Sequence, residues 1–166
     1  MPRKNHIQTA ALLLSAFALG GQALAHSGAM GIVKERMDSM ATLGDHAKAV
    51  GDMLKGKTAF EVSVVEEAAE VFVSHGERMP LLFPDTVASR EGAKTEALPA
   101  IWDNWEDFTA LASKFTQDSQ TLVAVINGLS TEAQSTGEQS RAVRAAFFRA
   151  SKNCSGCHER FRLDQD

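Results

Sequence analysis

The sequence predicts an all-α protein folded as an antiparallel four-helix bundle. Apolar residues recur at alternating steps of three and four along four segments, which is the period of a helix that buries one face. No segment shows the alternation with period two that indicates a half-buried strand. Glycine and proline separate the four segments, and the length suits one domain with a single core.

The first two segments predict a pair of helices joined at Gly56, a residue type that often follows a helix end. The buried seam of the first helix is predicted to be Val33, Met37, Met40, Gly44, Ala47, Gly51 and Leu54. Thr58 is the predicted N-cap of the second helix and Gly76 its predicted end. Its inward residues are then Phe60, Val64, Ala68, Val71 and His75.

Residues 77–98 contain Pro80, Pro84 and Gly92 and are predicted to form one long surface connection. Pro99 suits the first residue of the third helix, because a backbone N–H at that position would have no partner anyway. The helix is predicted to end at Asn127-Gly128. Its core-facing residues are predicted to be Ile101, Trp105, Phe108, Ala112, Phe115, Leu122 and Ile126.

The fourth helix is predicted to begin between Thr131 and Glu138, where Ser135 and Glu138 have the spacing of a capping box. Its apolar seam includes both cysteines of the chain, so we expect both on the core side. The members of this seam are Val143, Phe147, Ala150, Cys154, Cys157 and Phe161.

Residues 1–25 have the three parts of a secretory signal: basic Arg3 and Lys4, a short apolar run, and an Ala23-Leu24-Ala25 cleavage site. Cleavage would leave a mature domain of residues 26–166. The apolar run is shorter than the roughly 20 residues of a permanent membrane helix, so no span is expected in the mature form. Without the leader, 15 basic residues face 21 acidic ones, a net charge of −6. No nucleic-acid partner is expected, whereas a redox partner with a basic patch would suit such a surface.

The most specific motif is Cys154-Ser155-Gly156-Cys157-His158, which has the spacing of covalent c-type haem attachment. Two thiols three residues apart share a helix face and can bond to the two vinyl groups of one porphyrin, while His158 supplies the proximal axial ligand. A zinc ribbon needs a second ligand pair, and the chain has only two cysteines. A thioredoxin-like dithiol needs a strand before its helix, and the pattern here is helical. The motif predicts one covalent haem c, and with the export signal it predicts a periplasmic protein.

The chain resembles the cytochrome c prime family, the class II cytochromes c, over essentially its whole mature length. The resemblance rests on the motif near the C-terminus and on several weaker signals. These are Phe161-Arg162, Lys34-Glu35-Arg36 with Met40, Lys55-Gly56-Lys57, Phe83-Pro84, and Ile101-Trp102 with Trp105 and Phe108.

The resemblance implies roles for three residues of the first helix. Arg36 takes the place of an arginine near the haem propionates, and Met40 takes the position facing the distal side of the iron. Low-spin members of the family use a methionine there as the sixth ligand, whereas high-spin members leave the iron five-coordinate. Met37 lies on the same helix face and is the alternate ligand, and core packing is the other role open to both methionines.

These residues predict an electron-transfer protein rather than an enzyme, because a methionine and a histidine on the iron suit fast electron exchange. The alternative is a five-coordinate protein that binds NO or CO at an open distal site. A peroxidase would need an acid–base group beside the iron, and the first-helix seam offers thioethers and small aliphatic groups. Dimers are common in the family, so the sequence leaves monomer and homodimer open.

Overall fold

The computed structural model describes residues 28–129 and 137–163, which form a four-helix bundle and confirm the predicted fold class. The leader 1–25 and the capping residue Ser135 lie outside the described residues. The four long helices are α1, α2, α5 and α6, and two short helices lie between α2 and α5. Their bounds are α1 Gly31–Leu54, α2 Val62–Arg78, α3 Val87–Glu91, α4 Ala100–Asp103, α5 Trp105–Asn127 and α6 Gly137–Phe161. Among the described residues the only β-type pairing is a bridge between Ala97 and Arg162.

Helix α1 ends where the sequence predicts, because Gly56 adopts a φ of +73°, a conformation that costs glycine little. The amide of Gly56 donates to the Met53 carbonyl at 2.9 Å and closes the last turn. The predicted seam is partly wrong, since Gly44 is exposed and Gly51 is half-buried. The buried residues of those turns are Leu43 and Val50. The predicted and the observed sets of buried residues both recur at steps of three and four along the helix. The larger side chains occupy the core because they bury more apolar area.

Helix α2 differs from the prediction at both ends. Glu61, not Thr58, is its N-cap residue, and no side chain caps it. Gly76 lies inside the helix, which continues to Arg78. The buried side is rotated by about one residue from the predicted face. Its members are Val65, Ala68, Ala69, Phe72 and Gly76.

Gly76 marks a close approach between α2 and α5. A Cβ at this position would overlap Thr116 Oγ1 and would lie 3.1 Å from Phe115 Cδ1. Phe115 also packs on Phe72, with 5.8 Å between ring centroids. A larger residue at this position would force Thr116 to shift or the two helices to move apart, so the glycine allows α2 and α5 to approach this closely.

The segment between α2 and α5 is not the surface connection that the sequence predicts. Met79–Leu82 form a 3-10 helix, and Met79, Leu82 and Phe83 are buried in the core. Ser89 on α3 is also fully buried. We call residues 79–98 the strap, because they cross one end of the bundle from α2 to α4. The prolines predict the irregular backbone correctly but not its burial, which depends on the apolar residues between them.

The predicted third helix is divided in two. Pro99 precedes α4 as its N-cap residue, and Asn104, at φ −129° and ψ 50°, separates α4 from α5. Ile101 and Phe108 are buried as predicted, but Trp105 between them is exposed. The break removes Trp105 from the helix face that a continuous helix would give it.

Helix α6 begins within the predicted interval and buries Val143, Phe147, Ala150 and Phe161 as predicted. It packs along α5, which in turn packs along α2. None of the helices in the two described ranges is long and apolar enough to cross a membrane.

Replacing Gly76 with alanine should lower the free energy of unfolding by about 1–3 kcal/mol, because the added methyl group overpacks the contact with α5. Gly51→Ala on α1 is the matched control, since a Cβ there meets no atom within 4 Å. That control should raise stability by up to about 1 kcal/mol, the helix-propensity gain of alanine over glycine. Chemical denaturation of both variants measures the difference, and equal effects would contradict the close approach.

Candidate haem site

The two cysteines lie one turn apart near the C-terminal end of α6, and both are free thiols. Cys157 is half-buried and packs against the core. Cys154 is exposed, so the prediction that both cysteines face the core is wrong for this one. The buried residue of that turn is its neighbour Asn153. The core side of α6 is thus shifted toward α5, and Cys154 lies at the edge of the core.

A buried polar contact accounts for this rotation of α6. Asn153 Nδ2 donates to Asp118 Oδ2 on α5 at 2.8 Å, and Lys114 Nζ donates to the same oxygen at 2.7 Å. Burial by itself raises the pKa of Asp118, but the hydrogen bonds from Lys114 and Asn153 outweigh it and the net shift is downward. The carboxylate therefore stays charged and holds Asn153 on the α5 side. Sequence periodicity misses this pair because it gives no sign that two polar residues 35 positions apart meet in the core.

His158 is exposed, and its imidazole makes no hydrogen bond to any of the described residues. Although the residue is exposed, neighbouring atoms partly desolvate its ring; this desolvation and then the charge of Arg162 lower the pKa of His158, and Glu96 offsets part of the effect. A neutral imidazole with a free nitrogen is the form that binds iron. Burial and the neighbouring Cys154 raise the pKa of Cys157 to about 11, so this sulfur is a protonated thiol at neutral pH.

The end of α6 is held by the strap. The amide of Leu98 donates to the Phe161 carbonyl at 3.0 Å, and the amide of Leu163 donates to the Glu96 carbonyl at 2.8 Å. Arg162 Nε also donates to Glu96 Oε2 at 2.8 Å. The residues bonded to the strap lie three to five positions after His158, so these hydrogen bonds fix the backbone next to His158.

Both candidate distal ligands lie on α1. Met37 and Met40 are half-buried, and Met40 packs against the core. Helix α1 contacts α6 at far fewer positions than α5 contacts α6. One contact between them, from the Arg144 guanidinium to the Leu54 carbonyl, is ten residues before Cys154, or about 15 Å along the helix. Among the long helices that contact each other, α1 and α6 are therefore the least closely packed pair.

Arg36 is buried on α1, with 4% of its surface exposed, and its partners are neutral. Its guanidinium donates to the Ser89 carbonyl at 3.1 Å, to Ser89 Oγ at 3.4 Å and to Thr95 Oγ1 at 3.0 Å. It also lies 4.5 Å from the centre of the Phe83 ring. Burial lowers the pKa of Arg36, and Arg36 forms no ion pair with a carboxylate of the described residues. The sequence does not reveal these partners, which all belong to the strap.

A group of aromatic rings joins the strap to α5 and α6 at this end of the bundle. Phe83 meets Phe108 edge-on at 4.8 Å between centroids, and Phe108 meets Phe161 edge-on at 5.6 Å. Trp102 donates its indole N–H to the Phe83 carbonyl at 3.0 Å. The predicted core roles of Phe108 and Phe147 are confirmed, and the same role for Trp105 is wrong because Trp105 is exposed.

These residues fit a covalently attached haem. Two free thiols are one helical turn apart, an imidazole without a hydrogen bond follows the second, and two half-buried thioethers lie on α1, a helix that packs loosely on α6. In the part of the chain that the structure describes, no three His, Cys, Asp or Glu side chains cluster as a separate metal site. Two thiols and an imidazole at this spacing are the donors that a covalent haem c uses.

Comparison with known proteins gives a consistent result. Residues 31–162 match the family model described as Cytochrome C'. The chain is 30% identical over 155 residues to cytochrome c-556 of Agrobacterium fabrum, covering 93% of each protein. It is 31% identical over 132 residues to cytochrome c' of Rhodospirillum rubrum, covering 80% of this chain and 82% of that one. The fold is similar to that of cytochrome c' from Rhodopseudomonas palustris, with a TM-score of 0.69, 24% identity, and coverage of 82% and 99%.

Asn153→Ala should lower the free energy of unfolding by about 1–3 kcal/mol, because it removes the α5–α6 hydrogen bond and leaves Asp118 with one partner fewer. Ser155→Ala is the matched control, as Ser155 is exposed on the same helix and bonds only within its own turn. Chemical denaturation of both holoproteins measures the effect. Equal stability of the two variants would show that the Asn153–Asp118 contact does not hold α6.

Cys154→Ala and Cys157→Ala should each leave a haem attached through one thioether, and the double variant should lose covalent haem. Mass spectrometry under denaturing conditions distinguishes these products.

His158→Ala should remove the proximal ligand and change the optical spectrum while leaving both thioethers in place. An unchanged low-spin spectrum in that variant would contradict the axial role of His158.

Proposed function

The chain belongs to the cytochrome c' family, whose members bind one covalent haem c per chain, and on that premise we propose that it is a periplasmic electron-transfer cytochrome. Cys154 and Cys157 form the thioethers, His158 is the proximal ligand, and Met40 is the sixth ligand. The haem supplies a one-electron iron couple. The leader 1–25 directs export and is removed.

The observation that supports this proposal is that helix α1 carries a methionine, Met40, whose side chain is partly inside the bundle. Met40 is half-buried and packs against the core, so its thioether is held rather than free in solvent. A thioether ligand favours the reduced iron and raises the reduction potential. Met37, one turn earlier and also half-buried, is the alternate ligand.

Arg36 is proposed to lie near the haem propionates. Its guanidinium is buried, and its hydrogen-bond acceptors are neutral. A carboxylate brought close to a buried cation that lacks an acidic partner is stabilised strongly, since the local dielectric constant is low. This contact would be made from α1, at the end of the bundle where the strap crosses.

A second candidate function is NO or CO binding by five-coordinate iron. It is supported by the apolar character of Met40, Leu43 and Ala47 along α1, a lining that admits small uncharged ligands. These three side chains carry no acid–base group. The relatives include proteins named cytochrome c' as well as cytochrome c-556.

The optical spectrum of the holoprotein should be low-spin in both oxidation states and should not respond to CO. Met40→Ala should then give a high-spin ferrous protein that binds CO, because the sixth position is opened. Met37→Ala is the matched control and should keep the wild-type spectrum. If Met37→Ala opens the site instead, Met37 is the ligand. A wild-type protein that is high-spin and binds CO would overturn the electron-transfer proposal in favour of gas binding.

A further inference from the structure

Trp105 is exposed in a position where the sequence predicts a core residue. Its exposed fraction is 39%, although Ile101 and Phe108 on either side are only 1% exposed. The backbone break at Asn104 produces this exposure. The indole N–H of Trp105 makes no hydrogen bond to the described residues, whereas that of Trp102 is bonded to a carbonyl. Tryptophan is costly to leave in water, because its large apolar surface gains most from burial.

The ring of Trp105 is the outer end of a line of aromatic contacts that leads to α6. Its centroid lies 5.5 Å from that of Phe108, which lies 5.6 Å from that of Phe161. Phe161 follows His158 by three residues and is therefore one helical turn from it. Trp105 thus connects the protein surface to the helix turn that carries the proximal ligand.

Acidic side chains surround Trp105 in the sequence and on the surface. Asp103, Glu106 and Asp107 are all exposed. Within the described residues only Asp107 of these three forms an ion pair, with Arg160 of α6. An exposed aromatic residue within a charged rim is the usual composition of a protein interface, and the rim here carries net negative charge.

We propose that this surface, Trp105 with Asp103, Glu106 and Asp107, is the docking face for an electron-carrier protein that has an apolar centre and a basic rim. The proposal rests on the electron-transfer function proposed above. One electron passes from the ferrous iron of this chain to the oxidised centre of the partner, and no bond is formed and no proton moves. The acidic rim attracts the basic partner, while Trp105 provides the central contact.

The test uses the reduced holoprotein and, as a probe, an oxidised mitochondrial-type cytochrome c with a basic surface. Stopped-flow absorbance gives the second-order rate constant of electron transfer. Trp105→Ala should lower this constant about tenfold, as expected for the loss of a central interface residue. Phe148→Ala is the matched control, because Phe148 is an aromatic residue of α6 that is 50% exposed and lies outside the face. It should leave the rate constant unchanged.

The charge contribution is tested with a second pair of variants. Asp103→Asn with Glu106→Gln should lower the rate constant at low salt, and the difference should disappear at high salt. Glu66→Gln with Glu67→Gln removes the same charge from exposed positions of α2 and is the control. Equal losses in the two double variants would mean that net charge alone attracts the probe, which would overturn the docking face.

Binding is followed independently of electron transfer through the two indole N–H signals in the NMR spectrum of the diamagnetic ferrous protein. Addition of the reduced probe should shift the signal of Trp105 and leave that of Trp102 unchanged. A shift without electron transfer would overturn the proposed function and keep the docking face. Electron transfer with no shift, and with equal rate constants for Trp105→Ala and Phe148→Ala, would overturn the face alone.

If Trp105→Ala converts a dimer into a monomer in analytical ultracentrifugation, the face joins two copies of this chain and the proposal is wrong.

Discussion

The haem end of the bundle depends on the burial of one guanidinium. A buried cation without a carboxylate is stable only if its N–H groups find acceptors, and Arg36 obtains them from Ser89 and Thr95. Those acceptors belong to the strap, so satisfying Arg36 also fixes the path of the strap. The same path places Phe83 against the guanidinium and against Phe108. The need of Arg36 for hydrogen-bond acceptors therefore determines how the strap covers this end of the protein.

Helix α6 is held on one side and at one end, while Cys154 stays exposed and Cys157 half-buried. Asn153 holds the side that faces α5, and the bridge between Ala97 and Arg162 holds the end. Since both restraints act within a few residues of His158, the turn that carries the motif has little freedom to rotate. Covalent attachment needs this combination, because the thiols must be reachable and the imidazole must be positioned.

The sequence predicts the helical segments well because a period of 3.6 is a local property, and it predicts the motif because its spacing is short. The details that it misses depend on distant partners. Leu43 and Val50 replace Gly44 and Gly51 in the core because helix rotation is set by neighbouring helices. Burial of the strap depends on Arg36, more than 50 residues before Ser89. Signal cleavage and the iron ligands remain predictions.

The contrast between the tight and the loose helix pairs determines where the bundle opens most easily. Gly76 allows α2 and α5 to meet closely, and α5 holds α6 through Asp118. Helix α1 has few contacts with α6, so these two helices separate at lower cost than the other pairs of long helices that contact each other. Local opening between α1 and α6 therefore leaves the packing of α2 on α5 and of α5 on α6 in place.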